Sequence, residues 1–302
     1  MIYTLTMNPA LDYLVEVDKL NIGRVNKIST TNYQAGGKGI NVSIVLKNLG
    51  TDSVALGYLG GFVGEAIQSH LKKMGIKEDM IHVEGNSRIN VKIKSKQETE
   101  LNADGPKISA VHLKQLIDKV KSFKSTDYLI MAGSIPTSVE ENIYRVLMQN
   151  TKANVIVDTT GKALLDVLQY RPFLIKPNNH ELGELFNTSL WGHEEIYKYA
   201  LKLQDLGARN IIVSMADKGA LLILENKEMY FCEAVTGTVL NSVGAGDSVV
   251  AGFLHQYLKC KDILEAFKFA CATGSATAFS TFLATKNKID GIYNEQTMVK
   301  IK

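Results

Sequence analysis

The sequence predicts an α/β fold built on a mostly parallel sheet, with a second, smaller sheet attached to it. Short apolar runs that are typical of buried strands alternate along the chain with helical patterns, and this alternation indicates a parallel α/β sheet. Two other segments alternate polar and apolar residues with a period of two, which is typical of a sheet with one polar face. Glycine is plentiful (24 residues) and proline is scarce (5 residues), so tight strand–helix junctions are favoured over proline-rich linkers.

Six apolar runs predict the strands of the larger sheet. They are rich in Ile, Val and Leu and show little alternation, as expected for strands that are covered on both faces. In chain order the runs are residues 2–7, 53–59, 128–132, 154–158, 173–176 and 210–214.

Three of the intervening helices have clear predicted ends, because each pattern stops at a glycine. Glycine is favoured just after a helix, where the chain adopts a left-handed conformation. The helices, with the glycine that follows each, are 40–49 (Gly50), 65–74 (Gly75) and 194–206 (Gly207).

The segments 11–17 and 88–94 break this pattern, because apolar and polar residues alternate in both. With parts of 27–34 and 98–104 they predict an accessory sheet near the N-terminal half, inserted from approximately 11–34 and 86–105. Such a sheet can act as a lid, as a dimer surface or as both. No long linker or repeat divides the chain, so we expect one domain over 1–302.

Composition excludes several classes of protein. The net charge is +3 from 34 basic and 31 acidic residues, which is too even for a nucleic-acid-binding protein. No apolar stretch reaches the roughly 18–20 residues of a membrane helix, and the first residues lack the basic region of a signal peptide. Cys232, Cys260 and Cys271 show no CxxC spacing. We therefore expect a cytoplasmic protein that contacts neither nucleic acid nor membrane.

Polar residues or glycine follow five of the predicted strands. Ligands of open α/β sheets bind at the carboxyl ends of the strands, so these residues are expected at one edge of the sheet. They are Asn8 and Asp12, Gly133 and Ser134, Asp158, the set Lys176, Asn178 and Glu181, and Ser214 with Gly219.

The first glycine cluster is GGKGIN, residues 36–41, at the start of a predicted helix. Glycines let the backbone approach a ligand closely, and a helix N-terminus favours an anion. Its spacing matches neither a phosphate-binding P-loop nor a dinucleotide fingerprint. Lys38 among exposed amides indicates a phosphate or a sugar phosphate.

The second cluster is NSVGAGDSVVAGFL, residues 241–254. Gly244, Ala245 and Gly246 precede Asp247 and an amphipathic helix, so several amides can point at one place where negative charge develops. A carboxylate there would repel an anion. It is suited instead to act as a general base that accepts a hydroxyl proton.

These two signatures, in this order, resemble those of the ribokinase-like (PfkB-type) sugar kinases, and the similarity runs over essentially the whole chain. The resemblance implies a three-layer α/β/α domain with a small β-sheet lid, ATP as phosphoryl donor, Mg²⁺ as cofactor and a homodimer formed through the lid. Within the family, the segments SRINVKIK and LIKPNNHELGELF are most similar to enzymes that phosphorylate fructose 1-phosphate at its 6-hydroxyl. Tagatose 6-phosphate, giving tagatose 1,6-bisphosphate, is the alternative acceptor.

The resemblance also implies roles for individual residues. Asp247 is the catalytic base, and the amides of Gly244, Ala245 and Gly246 form an anion hole. On the nucleotide side the implied residues are Lys176, Asn178, Ser214, Gly219, Asn241, Gly246 and Ser275, with Glu181 as the metal ligand. The sequence departs from many relatives at Ala216, where they have glycine, which affects the placement of the nucleotide.

For the acceptor, the resemblance implies that Asp12 and Asn41 bind sugar hydroxyls, while Arg88 on the polar face of its strand binds the sugar phosphate. The other implied acceptor residues are Gly37, Lys38, Ser134, Asp247 and Arg24, the last across a dimer interface. Two other functions fit the sequence less well. A catalytically silent sugar-phosphate sensor would not need the Asp, glycines and Lys of these motifs, and a nicotinamide-dependent enzyme would need the absent GxGxxG.

Overall fold

The computed structural model describes residues 1–302 and brings the six predicted strands together in one sheet. The strands of the molecule are β1 Ile2–Thr6, β2 Ala10–Glu16, β3 Thr30–Gly36, β4 Val54–Gly60, β5 Lys77–Glu78, β6 Ile81–Val83, β7 Arg88–Lys94, β8 Thr99–Leu101, β9 Tyr128–Ala132, β10 Asn154–Asp158, β11 Leu174–Ile175, β12 Asn210–Ser214, β13 Ala220–Ile223, β14 Met229–Cys232 and β15 Met298–Lys300.

Ten α-helices connect or flank these strands. They are α1 Lys38–Asn48, α2 Gly61–Lys73, α3 Ala110–Lys121, α4 Ile143–Asn150, α5 Gly161–Leu168, α6 Asn179–Glu184, α7 His193–Asp205, α8 Ala245–Cys260, α9 Ile263–Ala278 and α10 Lys286–Glu295. None of them has the length and apolar composition that a membrane crossing requires.

The larger sheet has the order β15-β14-β13-β12-β11-β10-β9-β1-β4-β5, with β6 paired to β4 beyond β5. In this spatial order, every pair between β12 and β5 is parallel, and so is the pair of β4 and β6. The strands β13, β14 and β15 extend the sheet with antiparallel pairs. The prediction of a mostly parallel sheet is therefore confirmed, with an antiparallel edge that the apolar runs did not indicate.

Helices cover both faces of this sheet. Leu129 and Met131 of β9 lie in a core against α3, α4, α5 and α7, whereas Ile130 and Ala132 lie in a second core against α1, α8, α9 and α10. Successive residues of one strand are thus buried on opposite sides, which explains why the strands read as continuous apolar runs. The layers are those of a three-layer α/β/α fold.

The predicted helix ends are confirmed by the backbone. Gly50, Gly75 and Gly207 have φ values of 81°, 67° and 126°, in the region that favours glycine. The three helices begin earlier than predicted, at Lys38, Gly61 and His193. In α1 and α7 the added residues are polar or glycine, which an apolar pattern of period 3.6 does not mark.

The second sheet, hereafter the lid sheet, has the order β3-β2-β7-β8. Its central strands β2 and β7 are parallel, so Asp12 lies opposite Asn90 on one side and opposite Gln34 of β3 on the other. The polar residues of β7 share the face that lines a cavity above the larger sheet. The alternation seen in the sequence therefore separates a polar inner face from an apolar outer face.

Candidate active site

A cavity of about 1230 Å³ lies between the lid sheet, the carboxyl ends of the parallel strands and the start of α8. All but two of the site residues predicted from the sequence line it. These are Asp12, Gly37, Lys38, Asn41, Arg88, Ser134, Lys176, Asn178, Glu181, Ser214, Gly219, Gly244, Ala245, Gly246, Asp247 and Ser275. The edge of the sheet at which the strands end is thus the wall of one site.

Asp247 lies in the first turn of α8, at the centre of the cavity wall. The helix begins after Gly244, which has the left-handed conformation (φ 79°), and its first amides have no partners within the helix. The Asp247 side chain is 5% exposed, and its Oδ2 accepts a hydrogen bond of 2.8 Å from Nδ2 of Asn41. Asn41 belongs to the first glycine cluster, so the two motifs meet at this carboxylate.

The environment of Asp247 raises its pKa to about 6. Burial is the main cause and the nearby Asp158 carboxylate adds to it, while the Asn41 hydrogen bond and the Lys38 and Lys176 ammonium groups act in the opposite direction. A carboxylate with this pKa is ionised at neutral pH and still binds a proton readily, which is the property that a general base needs.

Asp158 pairs with two lysines in the wall of the cavity. It ends β10, is 1% exposed, and its Oδ1 lies 3.2 Å from Nζ of Lys38 and 3.4 Å from Nζ of Lys176. Burial alone would raise the pKa of Asp158, but the two ammonium groups outweigh burial and lower it. The sequence marked Asp158 only as one of several strand-end residues and did not include it in the predicted site.

Lys176 also lies against the glycine-containing turn at the start of α8. A Cβ added to Gly246 would come within 3.2 Å of Nζ of Lys176, so the glycine allows the cation to approach the start of α8. The first amides of the helix and this ammonium group therefore place positive potential on the same part of the cavity.

The capping box of α6 supplies the next part of the site. Oδ1 of Asn178 accepts from the Glu181 amide (2.7 Å), and Oε2 of Glu181 accepts from the Asn178 amide (2.8 Å). Both side chains line the cavity. The capping box uses one carboxylate oxygen of Glu181 and leaves the other for a ligand.

Gly219 closes the end of the cavity beside β12 in a conformation that only glycine tolerates. It has φ 96°, and a Cβ there would lie 2.1 Å from the Cys232 carbonyl oxygen. Ser214 ends β12 and forms an isolated bridge with Asn178, so both walls of this region are fixed to the sheet. Ala216 has a left-handed φ of 53°, a conformation that favours glycine.

The opposite end of the cavity is formed by the lid sheet. Oδ1 of Asp12 accepts from Nδ2 of Asn90 (3.0 Å), and its Oδ2 lies 3.2 Å from Nζ of Lys92. Nε of Arg88 donates to the Asn8 carbonyl oxygen (3.1 Å), and burial lowers the pKa of the guanidinium. Asn90 and Lys92 were not among the predicted site residues, although they alternate along β7 with Arg88 and lie on the same face of the strand.

Two predicted site residues do not line the cavity. Arg24 lies exposed in the loop between β2 and β3, at the edge of the lid sheet. Asn241 shapes the loop before α8, because its Oδ1 accepts from the Val243 amide (2.9 Å) and its Nδ2 donates to the Thr281 carbonyl oxygen (3.0 Å). In this chain alone, Asn241 therefore orders backbone.

Comparison with known proteins identifies the family. The pfkB family carbohydrate kinase profile matches residues 5–288. The chain is 43% identical to a 1-phosphofructokinase from Bacillus subtilis over 100% of both chains, and 39% identical to a D-tagatose-1-phosphate kinase from Bacillus licheniformis over 96% of both. Phosphofructokinase-2 from Escherichia coli, solved in complex with substrates and products, superposes with a TM-score of 0.91 at 26% identity, covering 97% of this chain and 98% of that one. The resemblance and the three-layer fold predicted from the sequence are thus confirmed: the chain belongs to the pfkB family of carbohydrate kinases.

Proposed function

We propose that this kinase transfers the γ-phosphoryl group of ATP to the 6-hydroxyl of fructose 1-phosphate, giving fructose 1,6-bisphosphate and ADP. The observation that carries the proposal is the buried Asp247 carboxylate, held by Asn41 at the start of α8. The cavity around it has cations toward both ends. The identity to a 1-phosphofructokinase over the full chain supports this choice of acceptor.

In the proposed reaction, Asp247 accepts the proton of the 6-hydroxyl as the hydroxyl oxygen forms a bond to the γ-phosphorus. The bond between that phosphorus and the bridging oxygen breaks, and the electron pair leaves with ADP. With a pKa of about 6, Asp247 is mostly ionised at pH 7 and ready to accept the proton.

The negative charge on the transferring group is offset by groups of this chain. The first amides of α8 and the Lys176 ammonium group lie at the same part of the cavity, and positioned charges of this kind stabilise phosphoryl transfer. Asp158 holds Lys176 and Lys38. It therefore keeps both lysines extended toward the site when no ligand is bound.

The acceptor is proposed to bind under the lid sheet. Arg88 binds its phosphate, Lys38 is the second cation, and Asp12 accepts hydrogen bonds from its hydroxyls. Ser134 and Gly37 lie beside these groups in the same cavity. Holding the phosphate at a fixed distance from Asp247 selects which hydroxyl reacts.

The residues present fit a magnesium ion held mainly by the nucleotide. The molecule contains no group of three His, Cys, Asp or Glu side chains that could hold a metal. Mg²⁺ in kinases is usually held by one or two carboxylates together with substrate phosphates, and Glu181 offers one free carboxylate oxygen in the cavity. Glu181 would hold the ion, which would supply positive charge beside the nucleotide phosphates.

The outer face of the lid sheet supports a homodimer. Tyr33 is 59% exposed and Leu101 is 56% exposed on this face, and the adjoining loop exposes Ile22 and Val25. Apolar groups concentrated on one surface are typical of an interface. Arg24 belongs to the same loop as Ile22 and Val25, and in the proposed dimer it reaches the partner's cavity. Within each subunit, the lid sheet and the larger sheet form one domain. Light scattering should give twice the mass of the chain.

The three free cysteines support a reducing compartment, and we place the enzyme in the cytoplasm.

A coupled ADP-release assay tests the choice of acceptor. The panel is fructose 1-phosphate, tagatose 1-phosphate, tagatose 6-phosphate, fructose 6-phosphate and the free sugars. We expect the highest kcat/KM on fructose 1-phosphate. Tagatose 1-phosphate is the second candidate, because a relative named for it is 39% identical and its phosphate would occupy the same place. A higher kcat/KM on tagatose 6-phosphate would contradict the proposal.

A further inference from the structure

Three polar side chains of β7 point into the cavity, and only the first belongs to the motif found in the sequence. Arg88, Asn90 and Lys92 alternate with apolar residues and all line the cavity. Lys92 is the least expected of them, since a lysine on a lid strand ordinarily extends into solvent. Its side chain is only 12% exposed.

Lys92 is held between two carboxylates. Its Nζ lies 3.2 Å from Oδ2 of the buried Asp12 and 4.0 Å from Oε1 of Glu100 at the lid edge. The strand register creates this arrangement, because Lys92 lies opposite Glu100 on β8 and is two residues beyond Asn90, the partner of Asp12. The ammonium group is thus fixed from both sides.

The Asp12 carboxylate is confined on three sides. Asn90 binds one oxygen and Lys92 binds the other. On the third side is Gly36 of β3, where an added Cβ would lie 2.5 Å from Oδ2. Each contact restricts the rotation of the carboxylate, so its remaining lone pairs have a fixed direction.

Asn90 carries a second indication of a ligand. Its Oδ1 is buried and has no hydrogen-bond partner, which is uncommon for a buried polar atom. Its amide nitrogen is already used on Asp12, which fixes the orientation of the free oxygen. A hydroxyl group of a bound ligand would supply the missing donor.

Charge explains why Lys92 is needed. A sugar phosphate brings negative charge into a cavity where Asp12 is already negative and buried. Without a paired cation, this carboxylate would repel the ligand whose hydroxyls it binds. Lys92 neutralises Asp12 and leaves Arg88 free for the phosphate.

We propose that Lys92 is a positioning residue for the acceptor sugar, acting through Asp12. It holds the Asp12 carboxylate in the orientation that accepts hydrogen bonds from the hydroxyls of a ketohexose phosphate. Together, Lys92 and Asn90 make β7 the strand that determines acceptor preference. This inference rests on the proposed function.

The test compares Lys92→Met with wild type in the full-length enzyme. The change removes the ion pair that orients Asp12, so the hydrogen bond between a sugar hydroxyl and this carboxylate is lost. Loss of such a bond to a charged group predicts an increase in KM for fructose 1-phosphate of about 10- to 100-fold. KM for ATP should remain at the wild-type value, which a general structural defect would not allow. Lys92→Arg should recover part of the loss, because it keeps the charge.

Lys94→Met is the matched control. Lys94 has the same strand phase as Lys92 but pairs with Glu16 outside the cavity, and both of those side chains are well exposed. Its kinetic constants should equal those of wild type.

The double variant Asp12→Asn/Lys92→Met separates positioning from folding. It removes both charges, so no unpaired carboxylate is left buried. If Lys92 acts through Asp12, its substitution adds little to the KM of Asp12→Asn, and the two effects do not multiply. Multiplicative effects, or a wild-type KM for Lys92→Met, would overturn the inference. If the wild-type enzyme phosphorylates no ketohexose phosphate at all, the proposed function is overturned, and this inference with it.

Discussion

Asn41 and Asp247 lie 206 residues apart in the chain and are joined by a hydrogen bond of 2.8 Å. The bond connects the first turn of α1 to the first turn of α8, each of which follows a glycine-rich turn. Because the Asn41 amide donates to one carboxylate oxygen, the other is left to face the cavity. The orientation of the proposed base is therefore fixed by a residue from the opposite end of the sequence.

Asp247→Asn should lower kcat by roughly 10²- to 10⁴-fold, because the amide cannot accept the hydroxyl proton while the shape of the site is kept. Steady-state ADP release measures this. The control is Asp290→Asn on α10, an exposed carboxylate remote from the cavity, which should leave kcat unchanged. Near-normal turnover in Asp247→Asn would remove the assignment of the base.

The pH dependence of kcat/KM should show an acid limb near pH 6, because Asp247 must be ionised and its pKa is about 6. Asp158→Asn should move this limb to lower pH. The Asp158 charge raises the pKa of Asp247, so its removal lets Lys38 and Lys176 stabilise the ionised form. A pH profile of both proteins measures the shift, and movement of the limb to higher pH would contradict this account.

Arg88→Ala should raise KM for fructose 1-phosphate by about 10- to 100-fold while KM for ATP is preserved. The physical reason is the loss of a charged contact to the phosphate that is not being transferred. The decisive measurement is the ratio of kcat/KM for fructose 1-phosphate to kcat/KM for free fructose. This ratio should be lower in Arg88→Ala than in wild type. If free fructose becomes no better relative to its phosphate, Arg88 does not bind that phosphate.

The same Asp247→Asn change should stabilise the fold at pH 7. The folded protein raises the pKa of this group from 3.8 to about 6, so it binds the proton more tightly than the unfolded chain does. The free energy of unfolding therefore falls as pH rises from 3.8 to about 6, and above pH 6 the protein bears the full cost of burying the ionised carboxylate. Removing the charge should add about 1–3 kcal/mol to the free energy of unfolding. Urea denaturation at pH 7 measures it, and a destabilised variant would be the contrary result.

His255 should make stability depend on pH with the opposite sign. It is buried, Nδ1 lies 2.6 Å from Oγ1 of Thr51, and burial is the main cause that lowers its pKa to about 4. The folded protein therefore resists protonation, and stability present above pH 6.5 is lost as pH falls toward 4, by up to about 3 kcal/mol. Urea denaturation across this range should show a weaker slope for His255→Gln than for wild type. Equal slopes would exclude His255 as the cause.

Patterns along the sequence were sufficient for the six central strands of the larger sheet, but they did not indicate β5, β6 or the antiparallel strands β13, β14 and β15. Buried strands differ from the lid strands in their periodicity, and glycines mark helix ends, so the predicted elements could be recognised from their own residues. The strand at Leu174–Ile175 is shorter than predicted, because the apolar run extends beyond the residues that pair with β10 and β12.

The site was only partly predictable, for a physical reason. Glycine clusters and strand-end polar residues are local signals, and they identified Asp247, Lys38 and Glu181. The role of Asp158 depends on which strands are neighbours, because its two lysines come from α1 and from the residue after β11. Lys92 depends likewise on the register between β2, β7 and β8, which one strand's alternation does not reveal.

The two halves of the cavity belong to different sheets. Arg88, Asp12 and Lys92 are carried by the lid strands, whereas Asp247 and Lys176 are carried by the α/β layers. In the proposed function, most of the acceptor contacts therefore come from the lid strands, whereas the proposed base comes from the α/β layers. Recombination that exchanges the lid strands between related kinases would alter the preferred sugar and leave the phosphoryl-transfer apparatus intact, which gives this architecture a modular route to new substrates.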